Sequence, residues 1–170
     1  RWLGHDTVAV INGGWSRWIN EERPVSSELL IPEAKEFIAS PRLSWTVTAD
    51  EILKDLNNPE TCVLDARSAQ RFRGENEKFD PVAGHIPGAH SAPFTDNLDE
   101  NGNWKSRSEL RQKFENLLDG SPAEEAVSYC GSGITACHNI LAMYHAGLGD
   151  SRLYPGSWSE WITDPDRPVE

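Results

Sequence analysis

The sequence predicts an α/β domain: a central parallel sheet with helices packed on both faces. Short runs of strand length, "TCVLDA" at 61–66 and "EAVSYC" at 125–130, alternate with longer segments of helical periodicity. These runs are mostly apolar rather than strictly alternating, as in strands covered on both sides. A glycine-rich loop then joins the second run directly to a helix, and parallel sheets bind ligands at such C-terminal strand ends.

Thr48-Ala49-Asp50-Glu51 has capping-box spacing, which places a helix start there. That helix should run to about Leu56 and end near Asn57-Asn58-Pro59. The run 61–66 is a buried strand, "AQRFRG" at 69–74 a polar helical start, and "AGHIPGAHSAPF" at 83–94 a series of glycine and proline turns. After the loop "NLDENGNW", residues 106–120 place Leu110, Phe114, Leu117 and Leu118 on one helical face, with Gly120 as a stop. The strand 125–130 follows, then a helix over 135–149 closed by glycine, then a last strand and turn in "SRLYPGSW".

The two ends repeat each other. Gly13, Trp15, Ser16 and Trp18 match Gly156, Trp158, Ser159 and Trp161 at a constant offset of 143, and Arg23-Pro24-Val25 matches Arg167-Pro168-Val169 one residue further on. The repeat predicts that residues 1–28 are the C-terminal remnant of a preceding homologous domain, 29–44 a linker, and 45–170 a complete catalytic domain.

A formal charge of −11 argues against nucleic acid or an anionic membrane as partner, since both need clustered Lys and Arg. No run reaches the ~18 apolar residues of a membrane span. Three cysteines are too few, and odd in number, for a disulfide framework. Thiols that stay reduced point to the cytoplasm. The chain opens on Arg1 without a signal peptide, and the absence of Met leaves a removed N-terminal segment open.

Cys130 ends the second strand, and Cys130-Gly131-Ser132-Gly133-Ile134-Thr135 leads into the helix. Two glycines in three residues allow a tight turn with its N–H groups directed inward, an anion-binding concavity backed by the helix dipole. A free thiol has a pKa of about 8.5, and a helix terminus contributes roughly 0.3–2 kcal/mol, enough to bring it near neutrality, with several aligned N–H groups taking it lower. Cys130 is therefore the candidate nucleophile, against the plain alternative of a small buried residue ending a strand. Cys137, two turns into the apolar helix, and Cys62, in its strand, read as core. A zinc site from Cys130, Cys137 and His138 lacks a Cys-x-x-Cys pair and a fourth ligand, so no metal is expected.

"VLDAR" (63–67), "AGHIPGAH" (83–90), "CGSGITA" (130–136) and "GSWSEW" (156–161), in that order, make residues 45–169 resemble the rhodanese family of sulfurtransferases. The resemblance implies a rhodanese-like fold, no cofactor, and a Cys130 persulfide formed from a small anionic sulfur donor and discharged to a thiol or cyanide. It fits a tandem protein whose second domain is catalytic. Cys-Gly-Ser-Gly-x-Thr is similar to the mercaptopyruvate type, whereas thiosulfate enzymes usually carry cations where Gly131 and Ser132 stand.

By the same resemblance Arg71 binds the donor's carboxylate or sulfonate, with the plain alternative of an exposed helix arginine. Gly131, Ser132, Gly133, Ile134 and Thr135 form the cradle, and Asp65 and Arg67 organise the site. Arg67 is expected to pair with an acid such as Glu75, and His85 and Pro87-Gly88 to be turn architecture. Two departures stand out. "ENEKFDPVA" lacks the second anion-binding arginine of some mercaptopyruvate enzymes, leaving Lys78 as its one cation. In that group Ser132 is also linked to a His and an Asp of the first domain, most of which this chain lacks.

Two other functions compete. A cysteine phosphatase of this fold needs an arginine six residues after the cysteine, where Ala136 stands. A rhodanese-fold carrier or regulatory module without turnover would usually have lost the cysteine or degraded the loop, and both are intact here.

Overall fold

A computed structural model of the chain describes residues 1–56, 58 and 61–170. Four parallel strands form its centre: β1 (Val63–Asp65), β2 (His90–Ser91), β3 (Val127–Tyr129) and β4 (Arg152–Leu153), in the order β2–β1–β3–β4. Leu64 stands opposite His90 on one side and Ser128 on the other, and Val127 opposite Arg152.

Successive side chains of a strand point to opposite faces, so the strands feed two cores. Val63, Val127 and Tyr129 enter one with Val47, Ile52 and Ile86, and with Trp158 and Trp161 of α6 (Ser157–Trp161). Leu64 enters the other, against Leu110, Phe114 and Leu118 of α4 (Arg107–Leu118) and Ala142 and Met143 of α5 (Ala136–Ala146). Helices cover both faces, which is the predicted α/β layering.

Local chemistry sets the helix limits. In α2 (Ala49–Asp55) the Thr48 hydroxyl accepts from the Glu51 N–H at 3.3 Å, and the Glu51 carboxylate accepts from the Thr48 N–H at 2.7 Å. The expected end of this helix falls partly on Asn57 and Pro59, which lie outside the described residues. Ser106 and Glu109 make a second capping box for α4. Of the four apolar residues predicted on its face, Leu110, Phe114 and Leu118 are buried and Leu117 is half-buried against them. Gly147, at φ 80°, closes α5.

Two expectations about this region need correction. The segment 83–94 is not turns throughout, because His90 and Ser91 add β2 to the sheet edge. Cys137 is not core. The buried face of α5 is Ala136, Asn139, Ala142, Met143 and Ala146, and Cys137 projects away from it and is exposed. It lines an apolar cavity of about 520 Å³ with Trp2, Val8 and Trp45, and its thiol donates back to the Gly133 carbonyl at 3.3 Å. Cys62 is buried as expected, and burial pushes its thiol up to about 11.

The first forty residues touch the domain at several points. Arg1 forks onto Asp150 through two 3.1 Å bonds, and the Asn12 side chain accepts the Trp104 N–H at 2.9 Å. Residues 21–42 form no helix or strand and return beside the start, the Ser40 N–H donating to the Leu3 carbonyl at 2.9 Å.

The repeated corners share a helix start and a tryptophan contact, although Gly13 is left-handed at φ 81° and its counterpart Gly156 is not, at φ −64°. The helix α1 (Gly14–Asn20) and α6 occupy matching positions. Trp18 Nε1 donates to the Pro24 carbonyl at 3.0 Å, and Trp161 Nε1 to the Pro168 carbonyl at 2.9 Å. They differ in what lies beneath: Trp158 is fully buried, whereas Trp15 is 68% exposed.

Candidate active site

Cys130 lies at the C-terminal end of β3, 2% exposed, packed with Ala66 and Ala136. The loop folds over it because Gly133 takes φ 81° with its Cα against the Pro155 carbonyl; a Cβ there would stand 2.6 Å from that oxygen. Gly131 to Thr135 then wrap the sulfur and pass directly into α5.

Burial pushes the Cys130 thiol up, but the Thr135 hydroxyl and the backbone N–H groups of Ala136, Ser132 and Thr135 outweigh it and hold the thiol below its ordinary range. These backbone donors surround the sulfur, and Thr135 adds a side-chain donor to them. Ser132 and Ile134 are exposed, Ile134 at 76%, so neither closes the pocket from inside. Cys137 is the contrasting thiol: burial of its sulfur, and the nearby Cys130 charge, push it up.

The back of the loop is held by the corner at 154–159. The Cys130 N–H donates to the Ser157 hydroxyl at 3.1 Å, and that hydroxyl donates to the Tyr154 carbonyl at 2.9 Å. The N–H groups of Trp158 and Ser159 donate to the Cys130 and Gly131 carbonyls, both at 2.9 Å. Ser157 is fully buried at φ 54°, a left-handed conformation unusual outside glycine.

Arg71, on the short helix α3 (Ala69–Phe72), reaches the loop: a methyl placed on Gly131 would stand 3.5 Å from its Nη1. It is already paired, however. Nε donates to Glu77 and Nη2 to Asp80, each at 2.9 Å, and the guanidinium lies over Phe79 at 5.0 Å. Asp80 also accepts from the Ser159 hydroxyl at 2.7 Å, which closes a ring from Gly131 through Ser159 and Asp80 back to Arg71. Lys78, the other cation of this segment, is exposed.

Asp65 and Arg67 are both buried and form a fork: Nε and Nη2 reach the carboxylate at 2.7–3.1 Å, and Nη2 also donates to the Gly84 carbonyl at 2.7 Å. The expected partner Glu75 is wrong. It pairs with Arg73 on the surface, and the second acid beside Arg67 is Glu77, at 3.5 Å. Glu75 follows the turn at Gly74, at φ 70°, and stays in solvent, whereas Glu77 turns inward. Its carboxylate lies between both arginines. Burial opposes its charge, but Arg71 and the N–H groups of Phe79 and Asp80 outweigh that and hold it below the usual carboxylate range.

His85 serves the turn, its ring stacked on Phe72 at 3.7 Å with Nδ1 on the Phe72 carbonyl. Among the described residues no cluster of His, Cys, Asp and Glu could hold a metal ion, and no helix is long and apolar enough to cross a membrane.

Sequence reasoning missed Glu77, Asp80, Ser157 and Ser159. The serines carried a signal in the repeated "GSWSEW" corner. The two acids carried none, because their contacts depend on the path of a loop.

Comparison with known proteins places the fold in a family. The profile of the "Rhodanese-like domain" family matches residues 48–164. A Pseudomonas aeruginosa protein named "Probable 3-mercaptopyruvate sulfurtransferase" is 47% identical over 99% of this chain and 60% of its own length. A Mus musculus "Thiosulfate sulfurtransferase" is 39% identical over 95% of this chain and 55% of its own. The solved structure of "3-mercaptopyruvate sulfurtransferase from Leishmania major" superimposes with a TM-score of 0.77 at 34% identity, over 98% of this chain and 46% of that one. This chain thus spans between half and two thirds of the length of these curated relatives.

Proposed function

The chain belongs to the rhodanese-like domain family, and from that membership we propose that it is a sulfurtransferase working through a persulfide on Cys130. It moves a sulfane sulfur from a small anionic donor, 3-mercaptopyruvate or thiosulfate, to a thiol or cyanide. The observation that carries this is the buried Cys130 sulfur, to which the Thr135 hydroxyl and three backbone N–H groups are directed.

The Cys130 thiolate attacks the donor's outer sulfur. The S–S bond of thiosulfate or the C–S bond of mercaptopyruvate breaks, releasing sulfite, or an enolate that takes a proton to become pyruvate. The persulfide's negative outer sulfur then rests in the same cradle. Attack by a thiolate or cyanide removes it and returns the Cys130 thiolate. Arg71 binds the donor's carboxylate or sulfonate above Gly131, where planar N–H donors suit an oxyanion. The Asp65–Arg67 fork fixes the end of β1 beside the loop.

Residues 45–170 are the catalytic domain, 1–28 the remnant of a preceding rhodanese-like domain, and 29–44 the linker. The matched Trp–Pro contacts of the two corners support this division. In a longer parent, that first domain would be the chain's nearest partner at the mouth of the site, beside exposed Ser132. Three free cysteines suit a reducing compartment such as the cytoplasm.

Mass spectrometry of the full chain after each donor tests the reading. Cys130 should gain one sulfur, and cyanide should remove it as thiocyanate. No gain on Cys130, or undiminished thiocyanate production by Cys130→Ser, would overturn it. A stable gain that no acceptor discharges would instead favour the carrier reading.

A further inference from the structure

The pairing of Arg71 has a consequence for which donors fit, and it rests on the sulfurtransferase reading above. Asp80 and Glu77 take two of the three nitrogens of this guanidinium, Nη2 and Nε, and Nη1 is turned towards Gly131. Arg67, the next guanidinium, is already matched by Asp65 and lies 3.5 Å from Glu77. Two cations therefore face three carboxylates. The loop adds no side-chain charge, since Gly131, Ser132, Gly133, Ile134 and Thr135 are all neutral.

Such an arrangement receives one negative charge and resists a second. A monoanion placed between Nη1 and the N–H cradle meets one partly compensated guanidinium and several backbone dipoles. A dianion meets the same donors, and its extra charge lies within several ångströms of the Glu77 and Asp80 carboxylates that already flank Arg71. We infer that Asp80 and Glu77 are specificity-determining residues, which set the donor charge at one and so favour a carboxylate monoanion such as 3-mercaptopyruvate over dianionic thiosulfate.

Asp80 is the better probe of the two. It is anchored to the loop by the 2.7 Å bond from Ser159, whose own N–H holds the Gly131 carbonyl at 2.9 Å. Asparagine at position 80 keeps an oxygen for Arg71 and turns its amide N–H to the Ser159 hydroxyl, which can accept as well as donate, while removing the charge. A residue that merely props Arg71 would affect all anions alike when changed. A residue that acts by charge changes the ratio between them.

Calorimetric titration of Cys130→Ser with pyruvate, a monoanion, and with thiosulfate reads that ratio without any turnover, so it is separable from the persulfide test. Adding Asp80→Asn should raise thiosulfate affinity about fivefold relative to pyruvate, the effect of one unit charge several ångströms away in a partly solvated site. Glu77→Gln should move the ratio in the same direction. Ser159→Ala keeps the charge and should leave the ratio unchanged. Equal changes for both anions in Asp80→Asn, or a ratio shift in Ser159→Ala as large as in Asp80→Asn, would overturn the inference. Wild-type turnover of neither donor would refute the sulfurtransferase reading and leave the anion ratio to be judged by itself.

Discussion

Ser157 holds at φ 54° the left-handed backbone position that Gly14, its counterpart in the first corner, holds at φ 58°. A non-glycine residue there carries roughly 1–2 kcal/mol of strain. The second corner retains it because the Ser157 hydroxyl accepts the Cys130 N–H and donates to the Tyr154 carbonyl. The strain thus sits where the Cys130 N–H needs an acceptor behind the loop.

Ser157→Gly should leave stability within about 1 kcal/mol, since relief of strain offsets two hydrogen bonds of roughly 1 kcal/mol each. Sulfur transfer should nevertheless fall about tenfold, as the loop loses its rear anchor. Ser157→Ala keeps the strain and loses both bonds, so urea unfolding should place it about 2–3 kcal/mol below wild type. Equal stability of the two variants would refute the strain account.

The thiolate at Cys130 depends on Thr135. Because the folded thiol titrates below its ordinary range, the thiolate persists as pH falls and is lost only when pH drops through that lowered value. Thr135→Val removes one donor to the charged form, so the loss should move to higher pH. Ultraviolet thiolate absorbance, taken as the difference from Cys130→Ser, should show this shift, with activity at pH 7 reduced about tenfold. An unmoved titration would assign the lowered thiol to the backbone alone.

Lys113 predicts a stability gain with alkali. Burial pushes its ammonium from 10.5 down to about 8, although Asn97 Oδ1 and the Pro93 carbonyl accept from it at 2.7 and 3.2 Å. Below pH 8 the fold must hold a charge that the unfolded chain holds more easily. Between pH 8 and 10.5 the unfolded state binds more protons, so stability rises with pH, by on the order of 2–3 kcal/mol. The stability of wild type relative to Lys113→Met should rise across that window and level off above it. A flat difference would show that Lys113 titrates normally.

The buried Asp65–Arg67 fork should be costly to break and cheap to replace. Asp65→Asn leaves a buried guanidinium with only Glu77, at 3.5 Å and shared with Arg71, as counter-charge, about 3 kcal/mol less stable by denaturant unfolding. Arg67→Met added to it should recover much of that loss. A double variant as unstable as the single one would mean that the fork supports the fold by shape rather than by charge.

Much of this was legible in the primary structure. Capping residues, turn glycines and runs such as "TCVLDA" act over a few residues, and the elements they predict are present. The Cys130 cradle is also local, since its donors all fall within six residues of the sulfur. Cys137 was misplaced because the buried face of α5 is largely alanine with one asparagine, giving little hydropathic contrast between sides. The strand His90–Ser91 is too short to show a period. Glu77 and Asp80 join the site because the loop after α3 folds back onto Arg71, and Asp80 is fixed there by residue 159, a contact no local pattern encodes.

The two tryptophan corners give the molecule an internal reference. Trp158 and Trp15 are counterparts at a fixed offset, one sealed in the interior and the other 68% exposed. One indole emits from an oil-like setting and the other from water. A soluble quencher reaches the second and spares the first until the domain opens, so a chain with its other five tryptophans replaced by phenylalanine would report, in one emission spectrum, both the opening of the fold and the covering of the N-terminal corner.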